Sequence, residues 1–214
     1  MNNQLKNINH ENKVKALKPV KGDFLFCLVS MFLLLGLLTS STAAAIEWKI
    51  SPCNSTVGDI LKIKGTASPG ENLKAEVSFE QNLTVSEGRY WYLLEQIKIP
   101  EGNDNLFAVK AEGVKNLHVG VNKLLWINLT SEGSNGVAVI SQSHVPPFTY
   151  KILIHGDALS NQTYVNLVFT ASQTLKADSK GRFKYNYDTS SMPAGKFNIT
   201  IGNLEKTIEL KEKE

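Results

Sequence analysis

From Ile46 onward no stretch of the chain keeps a helical period over ten residues; apolar side chains recur at every second position instead. Phe197, Ile199 and Ile201 alternate with Asn198 and Thr200, the pattern of a strand with one buried and one wet face. A phrase of strand, proline-marked corner and strand is written three times. The first copy has Gly88-Arg-Tyr-Trp-Tyr, Pro100-Glu-Gly and Phe107-Ala-Val-Lys-Ala-Glu-Gly113. The second has Gly136-Val-Ala-Val-Ile, Pro146-Pro-Phe-Thr-Tyr150 and Lys151-Ile-Leu-Ile-His-Gly156, with Phe148 where the other corners place glycine. The third has Gly181-Arg-Phe-Lys-Tyr-Asn-Tyr, Pro193-Ala-Gly and Phe197-Asn-Ile-Thr-Ile-Gly202. Proline fits only where no ladder donor is needed, so it marks the corners. Such a chain is predicted to be all-β.

A longer equivalence runs through the same region. Ile63-Lys-Gly-Thr-Ala67 aligns with Ile154-His-Gly-Asp-Ala158, Val77 with Val168, Gly88-Arg89 with Gly181-Arg182, and Pro100 with Pro193. Strands are predicted at 47–50, 60–65, 73–79, 83–86, 89–96, 106–111 and 117–121, then at 124–130, 137–142, 149–155, 164–171, 182–188, 196–201 and 206–211. Turn clusters such as Ser68-Pro-Gly-Glu-Asn72 and Ser131-Glu-Gly-Ser-Asn-Gly136 separate them. Seven short strands with turns every 8–12 residues are the signature of an immunoglobulin-like sandwich. The expectation is therefore two tandem immunoglobulin-like β-sandwich units, 46–122 and 123–214, joined by a short stiff linker at Val121–Lys123. One larger sandwich with internal pseudo-symmetry is the alternative.

The first residues belong to another class. Lys6, Lys13, Lys15, Lys18 and Lys21 form a basic segment, 1–23, ahead of the unbroken apolar run from Phe24 to Leu38 and the small residues Ala43-Ala-Ala45. These are the three parts of a secretory signal, with cleavage after Ala45; the run 24–45 is also about as long as a membrane-spanning helix needs, roughly 20 residues. In either case the lysines stay cytoplasmic and everything past Ile46 lies outside, secreted or on the cell surface, tethered by the N-terminal helix if that is uncleaved. The charge changes accordingly. The chain has 23 Lys+Arg and 20 Asp+Glu, and the leader holds five of the former and two of the latter, which leaves 18 of each sign. A neutral exported part carries no electrostatic footprint for nucleic acid.

Cys53 is alone in the exported part, so no disulfide forms within it; it reads as a small buried hydrophobe or as an interchain thiol. The phrase Thr56-Val-Gly-Asp-Ile-Leu-Lys-Ile-Lys-Gly-Thr-Ala-Ser-Pro-Gly70 resembles the opening of immunoglobulin-like modules in prokaryotic surface proteins. Together with Gly136-Val-Ala-Val-Ile-Ser-Gln-Ser-His-Val-Pro-Pro147 and Ile154-His-Gly-Asp-Ala158, it is similar to an uncharacterised family of exported proteins from methanogenic archaea. The resemblance covers most of 50–212. It implies fold and location and transfers no catalytic residues.

Motifs for chemistry are few. Five N-x-[ST] sequons, at Asn54, Asn82, Asn128, Asn161 and Asn198, all lie beyond the leader and are candidates for glycosylation. Tyr90, Trp91 and Tyr92 form an aromatic strand on which Trp91 faces away from its neighbours, a possible platform for a sugar ring or a protein partner. Glu101-Gly-Asn-Asp-Asn105 offers oxygen ligands without the spacing of a calcium loop and reads as a solvated turn. His118, His144 and His155 are scattered without a metal-binding pair, and Ser143-His144 has no evident acidic partner. No catalytic residue, metal site or cofactor is expected. The predicted function is a noncatalytic exported cell-surface module, structural or adhesive, whose partners are other cell-envelope proteins or surface glycans, with the membrane added if the leader stays. The alternative is a carbohydrate-binding module using Tyr90, Trp91 and Tyr92.

Overall fold

The computed structural model describes residues 45–213 apart from Asn103, so the expectations for the basic segment 1–23 and for the apolar run from Phe24 to Leu38 lie outside the described residues. Every regular element among the described residues is a β-strand. In chain order these are β1 (Glu47–Ser51), β2 (Ser55–Thr56), β3 (Ile60–Thr66), β4 (Asn72–Thr84), β5 (Arg89–Lys98), β6 (Leu106–Glu112) and β7 (Asn116–Asn122). There follow β8 (Trp126–Glu132), β9 (Val137–Ser143), β10 (Thr149–Asp157), β11 (Tyr164–Lys176), β12 (Arg182–Asp188), β13 (Gly195–Ile201) and β14 (Leu204–Lys211). The two strands expected at 73–79 and 83–86 are one continuous β4 of 13 residues. Gln81 interrupts the apolar stripe there without interrupting the pleat.

A seven-stranded sheet of order β2-β14-β13-β4-β11-β6-β9 is the base of the molecule, beside a four-stranded sheet β5-β10-β7-β8 and a three-stranded sheet β1-β3-β12. Both smaller sheets cover the same face of the large one. Leu73, Ala75 and Val77 of β4 pack with Trp48, Ile63 and Phe183 of the three-stranded sheet, whereas Phe79 and Leu83, on the same face further along, pack with Tyr90, Leu94 and Ile152 of the four-stranded sheet. The antiparallel pair β4–β11, in register from Asn72↔Lys176 to Thr84↔Tyr164, runs through both lobes as a shared floor.

The molecule does not divide at 122/123. Nine of the eleven strand pairings among the described residues cross that boundary, among them β3 with β12, β10 with β5, and β4 with β11, and the described residues all fall in one compact unit. Val121–Lys123, expected as a linker, leads into the tip of the β7–β8 hairpin. The internal repeat is nevertheless present in space. Ala67 N–H donates to Gly181 O, and Ala158 N–H donates to Gly88 O, both at 2.8 Å. Gly65 lies opposite Phe183 on the neighbouring strand, and Gly156 lies opposite Tyr90. A side chain at Gly65 would strike the Glu47 carbonyl and the Phe183 ring; at Gly156 it would strike the Asn116 carbonyl and the Tyr90 hydroxyl. Both repeats thus contribute to each lobe, β5 and β7 with β8 and β10 in one and β1 and β3 with β12 in the other: the two copies have exchanged strands.

The exchange also corrects the alignment. Val77 faces the core, while Val168 lies on the opposite face of β11 from the buried Val165, Leu167 and Phe169. A slip of one residue puts a strand's whole apolar set on the wrong face. The structural equivalents are Gln81-Asn-Leu83 and Gln173-Thr-Leu175, which place Val77 with Phe169 and Phe79 with Ala171. The two-fold axis implied by this equivalence passes between Ser78 and Thr170, which face each other across the β4–β11 pair.

Candidate functional site

The outer surface of the four-stranded sheet is composed unlike the rest of the molecule. Its register brings side chains from four strands into rows. Trp91 of β5 faces His155 of β10, which faces His118 of β7, which faces Thr130 of β8. The next row is Leu93, Leu153, Gly120 and Asn128. Gly120 is there for space: a Cβ on it would stand 3.2 Å from the ring of Trp126 and 3.0 Å from Asn128 Oδ1. Trp126 therefore folds inward over β7 from the edge strand β8.

Trp91 is 69% exposed, while Tyr90 is only 1% exposed and its hydroxyl donates to Asn116 O at 2.8 Å. Burial, with the nearby Asp157, pushes the Tyr90 hydroxyl well above the usual tyrosine value, which suits a structural group that never ionises. Tyr92 packs inward beside Phe169 at 5.7 Å between ring centroids. The predicted three-residue platform is thus Trp91 alone, because successive side chains of a strand point to opposite faces. Its companions come from other strands. His118 and His155 stack at 5.0 Å, and His118 Nδ1 lies 3.0 Å from Thr130 Oγ1. Burial first, and then His118, holds the His155 pKa below the ordinary histidine value, with Asp157 opposing. Sequence reading leaves these histidines scattered; only the β7–β10 pairing joins them. Two imidazoles fall short of the three protein ligands of a metal centre, and no group of three or more such ligands occurs among the described residues.

At one end of this surface the β7–β8 hairpin presents four consecutive large apolar residues. Leu124 is 87% exposed, Leu125 80%, Trp126 47% and Ile127 65%. Phe148, the residue that departs from the corner pattern, lies beside them with Lys123 Nζ 2.8 Å from its ring centroid. Because β8 is an edge strand, its free backbone groups are exposed here too. The outer face of the seven-stranded sheet contrasts with this. One row across it reads Thr207, Asn198, Ser78, Thr170, Ala108 and Ser141, and its exposed large apolar residues, Val137, Val139 and Tyr164, stand among polar ones.

The remaining candidates are placed as follows. All five sequon asparagines, Asn54, Asn82, Asn128, Asn161 and Asn198, are exposed, and Asn128 lies within the aromatic surface. Asn198 Oδ1 accepts from Thr207 Oγ1 at 2.9 Å. Cys53 is exposed rather than a buried hydrophobe, because it sits in the loop between β1 and β2 where nothing covers it. The expected solvated turn 101–105 is a stapled corner: Asn105 is 3% exposed and its Nδ2 donates to the carbonyls of Pro100, Gly102 and Val145. His144 Nδ1 lies 3.2 Å from Ser143 Oγ, and its charge reaches Asp104, but that carboxylate is engaged by Thr174 N–H at 2.8 Å. No protein-family model, curated protein or solved structure matches the chain.

Proposed function

We propose that the chain is an exported, noncatalytic cell-surface module of the immunoglobulin-like sandwich class, structural or adhesive in role, whose contact surface is the outer face of the β5-β10-β7-β8 sheet and its β7–β8 tip. One observation carries this reading: Trp91 and Trp126 are exposed on this sheet and Leu124, Leu125 and Ile127 at its β7–β8 end, a cluster of large apolar residues, whereas on the large sheet's outer face Val137, Val139 and Tyr164 are exposed among polar residues. An apolar patch rimmed by polar residues marks an interaction site, and aromatic residues are enriched where partners bury surface. The partner is another envelope protein or a surface glycan. Immobilised full-length protein should retain a partner from solubilised cell envelopes, and the pair Leu125→Asp and Ile127→Asp should release it with the thermal midpoint unchanged. Equal retention by the variant defeats the reading.

A second reading has its own observation. Trp91 presents its ring to solvent beside His155 and Leu93, the arrangement on which a pyranose ring stacks. On a glycan array, binding that Trp91→Ala abolishes while Leu125→Asp leaves it unaltered favours the carbohydrate-binding module over the protein adhesive.

A further inference from the structure

The two-fold equivalence breaks at one place. On one side of Ser78 and Thr170, Phe79 and Phe169 face each other and stack at 4.5 Å with their planes 12° apart. On the other side the equivalent pair is Val77 facing Ala171. Beside that smaller pair, where the two lobes meet, lies a cavity of about 110 Å³, partly open and almost entirely apolar, whose walls include Val77, Ala171, Ile97, Ile99 and Tyr185 and which Phe79 and Phe169 bound on the other side. Ile97 and Ile99 reach it because β5 carries a bulge after Leu94, with Gln96 at φ 56°, that shifts which side chains face inward.

The polar contribution comes from Gln173. It lines the cavity from β11; its side chain hydrogen-bonds the Tyr185 hydroxyl, while its Oε1 is buried and has no hydrogen-bond partner of its own. A buried carbonyl without a donor costs free energy, so its retention at a cavity wall asks for a reason. An apolar protein cavity of about 150 Å³ stays dry and takes up benzene. This one is smaller but open on one side, so a single ring fits with a substituent directed outward.

We propose that the cavity is a binding site for a small phenol-type molecule, whose ring occupies the space beside Val77 and Ala171 and whose hydroxyl donates to Gln173 Oε1. The site is separate from the outer face of the four-stranded sheet and does not depend on its role.

Methyl NMR of the full-length protein, titrated with p-cresol and with toluene, tests this. Saturable shifts are expected at the methyls of Val77, Ile97 and Ile99, with p-cresol binding about tenfold tighter than toluene, the ratio of one hydrogen bond. Gln173→Leu should erase the preference and keep toluene binding. Ala171→Phe should abolish both, and Ala171→Leu should weaken both, which covers the case where the larger ring disturbs folding. Absence of saturable shifts in the wild type overturns the proposal, as does undiminished binding in both Ala171 variants or a p-cresol preference that survives Gln173→Leu.

Discussion

In the lobe covered by β5, β10 and β7, the floor next to Ser78 and Thr170 is closed by the stacked Phe79 and Phe169; in the lobe covered by β3 and β12 the same floor carries Val77 and Ala171 and stays partly open. Particular backbone features recur in both. Gly65 and Gly156 take equivalent positions beside an aromatic ring, and Ala67 and Ala158 make equivalent hydrogen bonds. Around this frame the lobes differ in strand number, in the β5 bulge and in side chains: stacked phenyl rings and a Trp-bearing outer face on one side, Val77 and Ala171 beside a cavity on the other.

The comparison breaks most visibly at the floor. Phe169 is 1% exposed and touches Phe79, Tyr92 and Phe107. Phe169→Ala should cost about 3–5 kcal/mol in urea unfolding, while Val77→Ala, beside a cavity that already exists, should cost only about 1 kcal/mol. Equal losses would mean that the two lobes are filled alike. A smaller effect tests the sameness of the frames: Gly65→Ala and Gly156→Ala each force a Cβ against a backbone carbonyl and an aromatic side chain, so each should destabilise by roughly 1–3 kcal/mol and the two should agree. A neutral result at one glycine removes that position from the equivalence.

The smallest effect is electrostatic. The Asn116 side chain, with Arg89 nearby, holds Asp157 below the usual carboxylate range, and the backbone and side chain of Arg182 do the same for Asp178 in the other lobe. A carboxylate with a lowered folded pKa contributes stability above its unfolded value, about 4, and loses it as pH falls through the folded one. Both lobes should therefore weaken together below about pH 4. His155 belongs to one lobe only. Its depressed pKa means that the unfolded chain gains a proton first as pH falls through about 6.5, so stability should begin to drop there. Thermal melts between pH 7 and 3 should show this early step in the wild type and not in His155→Gln; an unchanged step assigns it elsewhere.

Much of the fold is legible along the chain. β12 runs from Arg182 to Asp188 as expected, and most other strands fall within a few residues of their predicted bounds, because alternation is a property of neighbouring residues. The candidate site is less so. Trp91 is legible as outward-facing from its parity with Tyr90 and Tyr92. The His118–His155 pair is not, since the residues come from strands whose pairing no local pattern names. The exposed run Leu124–Ile127 reads only as the start of a strand; being apolar does not tell a residue whether another sheet reaches over it, and here β8 is at the edge.

By itself, the sequence determined that the chain past Ile46 is built of strands, where its corners lie, and that the plan is written twice. Only the tertiary structure decided that the repeats exchange strands, so that β3 joins β12 and β5 joins β10 across the expected boundary. The reason lies in how the two kinds of information act. The period of a strand is set residue by residue, but its partner is chosen by small differences among similar faces far apart in sequence, and closing a longer loop adds little entropic cost. The same choice put Val77 opposite Ala171, and with it the cavity.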